Sequence, residues 1–235
     1  KRMIKDKPLI LSIETATNIC SVALSYGENI LAYEECREQN SHSKMLSVLI
    51  EKLFKYTYYS LQEIDCVAVS KGPGSYTGLR IGVSTAKGIA YGLSVPLISV
   101  ETLQILAYSS MQKYPDCCYM PMIDARRMEV YTAMYDKDFN VLKPISADII
   151  DKDLYTSLHK DRKIVLCGDG AEKCKDILNN EIYIYDLATE LSAKDMIHIA
   201  TKKFEANDFE DTAYFEPYYL KEFVAQKSHV KGLYD

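Results

Sequence analysis

Tryptophan is absent from this 235-residue chain, and so is any apolar run near the ~20 residues that a membrane-spanning helix needs. No transmembrane segment and no membrane partner are expected. An excess of positive charge is missing too: 28 Lys and Arg stand against 33 Asp and Glu, a net charge of −5. Proteins that grip nucleic acid unaided are normally basic, because phosphate neutralisation drives that binding. Any role near RNA therefore calls for a partner. Cys20, Cys36, Cys66, Cys117, Cys118, Cys167 and Cys174 are odd in number and contain no C-x-x-C pair. A zinc site wants paired spacings and a disulfide framework suits a short secreted chain, so neither is expected. Most of these thiols fall in apolar, strand-like runs, as free buried cysteines do in a reducing cytosol. The start, KRMIKDKPLILSIET, joins positive charge to a short apolar strand with no small-residue cleavage site. It is read as carrying no signal peptide, and a cytoplasmic location is expected.

What is there suits a folded chain: 48% hydrophobic and 26% charged residues, enough to build a substantial core. LILSIE at 9–14 reads as a buried strand, followed by CSVALSY and ILAYEEC as a hairpin around GEN. Residues 41–56, SHSKMLSVLIEKLFKY, have helical period: Met45, Val48, Leu49, the stem of Lys52 and Phe54 mark one face. Asn40, Ser41 and Ser43 offer capping oxygens near its start. DCVAVS is a strand, a glycine-rich loop leads into a helix to about Leu93, VPLISV is a strand and ETLQILAYSSMQK a helix. After Tyr114-Pro115-Asp116 a second series begins with the strands CCYMPMIDA, MEVYTAMYD and NVLKPISAD. A short helix near 151–159, the strand KIVLCG, a helix from Ala171, the strand EIYIYD and the helix SAKDMIHIATKKFEA complete it.

Strand-strand-strand-helix-strand-helix-strand-helix thus occurs twice, without obvious sequence identity between the halves. Hairpin-linked strands are antiparallel and strands returning through helices are parallel, which predicts α/β architecture with mixed sheets flanked by helices. This is the order of the two-lobed actin-like fold, ribonuclease H-like and shared with sugar kinases, where nucleotide binds between the lobes. The expected division is a first lobe at 1–113, a second at 114–212, and a segment at 213–235 that packs back and ends in a flexible tail.

KGPGSYTGLRIG, residues 71–82, holds four of the ten glycines between a strand and a helix, where phosphates are often cradled. It fails the P-loop pattern, because no lysine follows Gly78, and the G-x-G-x-x-G pattern, because Thr77 stands at the last glycine. The phosphate signatures of actin-like kinases are degraded as well. ETAT at 14–17 has alanine where D-x-G-x-T has glycine, Asp124 is followed by ARR instead of Gly-Gly-Thr, and the base-binding turn survives only as CGDGAEK, 167–173. Thr15, Thr17, Asp124, Gly168 and Gly170 remain as candidates for a weak nucleotide contact, with no cofactor expected.

Gly78, Gly82, Ala86 and Ala90 recur every four residues and share one helix face; Gly88 and Gly92 repeat the spacing. A low ridge lets another element approach closely. Spacing admits two readings, packing on the chain's own sheet or a subunit interface. A hydrolase reading has Ser41 and Ser43 beside His42, yet adjacent helical residues point apart, and no G-x-S-x-G or H-E-x-x-H occurs. A small-molecule kinase of the same fold meets the degraded phosphate motifs. Arg126 and Arg127 are candidates to face RNA phosphate.

LILSIETAT, SHSKMLSVLI, GPGSYTGLRIGVSTAKGIA, PMIDARRMEVY and PYYLKEFVAQKS occur in this order. Together, from about Leu9 to Ser228, they resemble the TsaB family, accessory proteins of bacterial threonylcarbamoyladenosine biosynthesis. The resemblance implies a non-catalytic scaffold whose helices at 41–56 and 76–92 pair with TsaD, the paralogous transferase acting on the tRNA anticodon loop, or with a second copy as a homodimer. It also implies a TsaE-type ATPase in the complex, a separate synthase for the activated substrate, and tRNA contact only through the complex. His42, Tyr76, Gly78, Arg80, Gly82, Ser84, Ala86, Lys87 and Ala90 become the expected interface, and the small stripe favours the interface reading. TsaD binds metal through H-x-x-x-H; here His42 keeps the first place and Leu46 fills the second, a poor ligand set. His42 is then a capping or interface residue, and His159, His198 and His229 form no ligand spacing.

Overall fold

The computed structural model describes residues 7–38, 41–158 and 162–220. Asn40, His159, His229 and the expected tail beyond 220 lie outside them. Strand β1 (Leu9–Glu14) is buried along its whole length. Its side chains alternate: Leu9, Leu11 and Ile13 enter one core cluster and Ile10 the other. On one side β1 pairs antiparallel with β2 (Cys20–Tyr26), which pairs antiparallel with β3 (Asn29–Cys36). On the other it pairs parallel with β4 (Cys66–Gly72), and β4 pairs parallel with β5 (Leu97–Glu101). The five-stranded order is β3-β2-β1-β4-β5. The second sheet repeats it with β6 (Cys118–Asp124) at the centre, β7 (Glu129–Tyr135) and β8 (Val141–Ile149) as the antiparallel arm, and β9 (Ile164–Cys167) and β10 (Tyr183–Asp186) as the parallel arm. This is the doubled mixed sheet of the actin-like fold.

Helices α1 (His42–Lys55) and α2 (Tyr76–Leu93) cover one face of the first sheet. Leu46, Leu49 and Leu53 of α1 and Leu79 and Val83 of α2 are buried, each contributing about 1.5–3 kcal/mol relative to exposure. Ser75 caps α2 by accepting the Gly78 N–H at 3.2 Å, and Ser94 ends it in the left-handed region at φ 53°. Ser41 makes no such side-chain cap on α1; its hydroxyl donates back to Glu38 O at 2.6 Å.

The last helix of each half crosses to the other half's sheet. Helix α3 (Thr102–Met111) follows β5 and packs chiefly on β6 and β9 while keeping contact with β4 and β5, whereas α4 (Ile197–Glu205) follows β10 but packs on β1 and β5. One core cluster consequently joins Ile10, Ala68 and Val100 to Tyr119, Ile123 and Val165.

The other expected helices of the second half are shorter. The one near 151–159 is a single 3-10 turn, Thr156–Leu158, and the one from Ala171 is the 3-10 turn Glu172–Cys174 with a further turn after it. Ala171, Cys174 and Leu178 are buried at helical spacing, but the winding is mostly i→i+3: Cys174 N–H to Ala171 O and Ile177 N–H to Cys174 O, both 3.1 Å. SAKDMIHIATKKFEA divides into a 3-10 turn at Ala193–Met196 and α4.

After α4 the chain returns across the first half as a strap. The Glu210 N–H donates to Leu97 O at 2.8 Å beside the β5 edge, Phe215 enters the α1–α2 core, and the Tyr218 N–H donates to Lys71 O at 2.6 Å.

Candidate functional site

Two places collect the candidate residues: the cleft between the sheets and the helical pair α1–α2. The cleft, about 730 Å³, is lined by Ala16–Asn18, Pro73–Thr77, Ile123–Arg127, Asp169 and Tyr218–Leu220. A smaller space of about 310 Å³ adjoins Thr17, Gly168, Asp169 and Thr189.

Of the five positions proposed for nucleotide contact, Thr17, Asp124 and Gly168 border these spaces, and Thr15 and Gly170 do not. Thr15 is fully buried and its hydroxyl donates to Gly78 O at 2.8 Å, so it does not reach the cleft. Asp124 is exposed but held in an ion pair with Lys173, and its own N–H donates to Asp169 Oδ1 at 2.9 Å. Gly168, at φ +92°, leaves no room for a side chain, because a Cβ would lie 2.5 Å from Met122 O; a Cβ on Gly170 would lie 2.9 Å from the Ile123 carbonyl carbon. Thr17 alone of the five lines both spaces.

The same construction occurs in the first half. Gly72-Pro73-Gly74 begins on the last residue of β4, and Gly168-Asp169-Gly170 directly follows β9. Gly72 sits at φ +111° against Tyr218 O, and a Cβ on Gly74 would lie 2.5 Å from Ala16 O. The Ser75 N–H donates to Ala16 O at 2.7 Å, as the Gly170 N–H donates to Met122 O at 3.0 Å. These paired G-x-G turns are a sequence signal of the internal repeat that the absence of wider identity hides. The cleft's Tyr218 and Tyr219 were not among the sequence candidates. Tyr219 lies against Tyr76, ring centroids 4.7 Å apart, and the Arg80 guanidinium stands 5.7 Å from the Tyr76 ring.

Glu14 lies at the end of β1, fully buried, accepting the Ala16 N–H at 2.6 Å through Oε1. Burial pushes its carboxyl up to about 7, against the lowering effect of the Ala16 N–H and the Ser70 hydroxyl.

The small-residue stripe of α2 faces inward. Gly78, Gly82, Ala86 and Ala90 are all buried, and a Cβ on Gly78 or Gly82 would overlap Thr15 O or Thr15 Oγ1 respectively. The close approach that the stripe permits is to Thr15, just after β1, with α2 lying on the chain's own β4 and β1, which corrects the expectation that these four residues meet a partner. Lys87 is likewise committed internally: its ammonium donates to Ala213 O at 3.2 Å and Phe215 O at 2.7 Å, holding the strap. His42 is 8% exposed and its Nε2 lies 2.9 Å from Thr17 O, so it joins α1 to the turn after β1. Ser41 and His42 do not pair, and Leu46 at the second H-x-x-x-H place is core.

Two residues further round the helix, a turn of roughly 200°, a second ladder faces out. Arg80, Ser84, Gly88 and Gly92 are exposed, and a Cβ on Gly88 or Gly92 would meet nothing within 4 Å. Tyr91, next to Gly92 in the chain, is 82% exposed, and Val48 of the neighbouring α1 is 38% exposed. Arg126 and Arg127, both at positive φ (71° and 50°), sit on the turn between β6 and β7 beside the cleft.

The family described as TsaD: tRNA N6-adenosine threonylcarbamoyltransferase matches residues 36–213. The tRNA threonylcarbamoyladenosine biosynthesis protein TsaB of Escherichia coli (strain K12) is 32% identical over 231 residues, 93% of this chain and 96% of that protein. The chain belongs to the TsaB family. A second TsaB, from Bacillus subtilis (strain 168), is 29% identical over 206 residues, covering 85% of this chain and 89% of its own. The solved structure of YeaZ from Pseudomonas aeruginosa superposes at a TM-score of 0.77 and 23% identity, over 91% of this chain and all of the other. That likeness carries the fold. For a TsaB-family chain the inward stripe and the outward ladder of α2 are distinct features, one building the lobe and one facing away from it. Among the described residues no helix is long and apolar enough to cross a membrane, and no group of three or more His, Cys, Asp and Glu is placed to hold a metal ion.

Proposed function

We propose that this chain takes part in forming threonylcarbamoyladenosine on tRNA as a non-catalytic accessory subunit. It pairs through the outer face of α1 and α2 with a TsaD-type transferase and supports a TsaE-type ATPase in the same assembly; tRNA is met through the complex. Kinship with proteins named for tRNA threonylcarbamoyladenosine biosynthesis supports the process. One observation carries the accessory role: the groups at the sites where an actin-like enzyme would do its chemistry are tied to this chain's own backbone and side chains. His42 holds Thr17 O, Thr15 holds Gly78 O, Lys173 holds Asp124, and the two G-x-G turns are filled by neighbouring main chain.

Pairing is assigned to the ladder Arg80, Ser84, Gly88 and Gly92 with Tyr91 and Val48, where small residues lower the surface and a large ring borders it. The test is reconstitution on tRNA with transferase, ATPase and synthase, omitting each protein in turn. Modification is expected only when this chain is present, and equal modification without it sinks the proposal. In the same system Gly88→Arg is expected to leave the protein folded, with a melting temperature no lower than the parent's, while abolishing co-elution with the transferase on size exclusion. Undiminished co-elution moves the interface elsewhere.

A further inference from the structure

Two of the seven cysteines face each other. Cys20 opens β2, Cys36 closes β3, and the two residues are direct partners in the antiparallel register. Residues so paired project to the same face of the sheet, and both side chains join the core cluster beneath α1. Directly opposed residues have Cα atoms about 4.5 or 5.5 Å apart, within the ~4.4–6.8 Å that disulfides span. Both thiols are free in the structure. Their exposure differs: Cys20 is fully buried, whereas Cys36 is half-buried, with Sγ 3.4 Å from the hydroxyl of Ser41, the residue that begins α1. The other cysteines have no such arrangement. Cys66 opens β4 and Cys167 closes β9, Cys117 and Cys118 are chain neighbours that enter different core clusters, and Cys174 lies in a 3-10 turn.

We propose that Cys20 and Cys36 form a reversible intrachain disulfide when the protein meets hydrogen peroxide, making this strand pair a redox modification site at the root of α1. The balance is simple. The Cys36 thiolate attacks the peroxide, breaking its O–O bond to give a sulfenic acid and hydroxide. The Cys20 sulfur then attacks the sulfenic sulfur, forming the S–S bond and releasing water. Two thiols are oxidised and one peroxide is reduced to two waters once the protons are counted. Exposure sets the order, since the oxidant reaches Cys36 first and the buried partner resolves it. Burial also pushes the Cys20 thiol up to about 12, which slows resolution and favours closure when strand breathing admits solvent. A dithiol reductant reverses the bond by exchange.

The experiment treats the folded, full-length protein with hydrogen peroxide, blocks remaining thiols, and maps peptides by mass spectrometry without reduction. The expected product is a peptide pair joined through Cys20 and Cys36, lighter than the two separate peptides by two hydrogens and returned to them by dithiothreitol. Cys36→Ser, at the more exposed position, keeps the fold by circular dichroism and abolishes the link. Cys20→Ala instead accumulates the sulfenic acid at Cys36, trapped by dimedone. Over-oxidation of Cys36 in the parent without a linked peptide, a disulfide between different molecules, or a link joining any other cysteine pair overturns the proposal.

Discussion

Gly82 and Gly88 lie on opposite sides of one helix and respond oppositely to a methyl group. A Cβ on Gly82 has nowhere to go but into Thr15 Oγ1, so Gly82→Ala is expected to destabilise the fold by about 3 kcal/mol, the upper end for overpacking. Gly88 faces open space, and Gly88→Ala is expected to gain ~0.5–1 kcal/mol of helix stability. Urea unfolding of the two variants separates them. Glu14 gives a pH signature. Its folded carboxyl sits near 7 against 4.5 for an ordinary glutamate, so between those values the unfolded chain has released a proton that the folded chain retains. The contribution of Glu14 to stability is full below about 4.5, declines as pH rises, and is lower by about 3 kcal/mol above 7. Glu14→Gln, permanently neutral, is expected to match the parent in acid and exceed it at ~pH 8, measured by urea midpoints across pH. The period of the glycine ladder is legible in the sequence. Its direction is not, because α2 carries two four-residue ladders and the choice depends on Thr15, far away in the chain.

At the scale of elements, the strap is held by a few separate contacts. Lys87 closes two carbonyls of it and Phe215 plugs it into the α1–α2 core. Lys87→Met keeps the stem and removes the donor. Hydrogen exchange at Glu210 and Tyr218, whose amides bond Leu97 O and Lys71 O, is expected to quicken ~10-fold while the amides of β1 stay unchanged. Unaltered exchange at both positions removes Lys87 from that role. Strands and their order are readable from sequence because β1, β4, β6 and β9 are short apolar runs closed by turn residues. The helices of the second half are less so. Ala171, Cys174 and Leu178 have a spacing that α-helix and 3-10 turns share, and the hydrogen-bond ring is set by the neighbouring G-x-G turn packed on β6. Among the residues expected at an interface, Lys87 reads as solvated surface in the sequence, and only the fold shows it committed to the strap.

For the whole molecule, the exchange of α3 and α4 between sheets decides cooperativity. A fragment ending at 113 lacks the helix that covers β1 and β5, and a fragment of 114–212 lacks the one that covers β6 and β9. Each would expose the shared cluster of Ile10, Val100, Tyr119 and Val165. Neither fragment is expected to show a cooperative thermal transition alone, whereas the intact chain is expected to melt once, with calorimetric and van't Hoff enthalpies equal. Two separated transitions would mean that the halves are independent domains.

The same exchange has a mechanical meaning. Each half seats a helix in the other like the two members of a dovetail joint, so the halves cannot be drawn apart without stripping a helix from its bed. The molecule is built as a bracket: a push delivered to the outer face of α2 reaches the second sheet by way of β4 and of α3, which packs on β6 and β9. Pulled in a single-molecule experiment from points near residues 7 and 220, it is expected to yield in one rupture, with no plateau of half-open states.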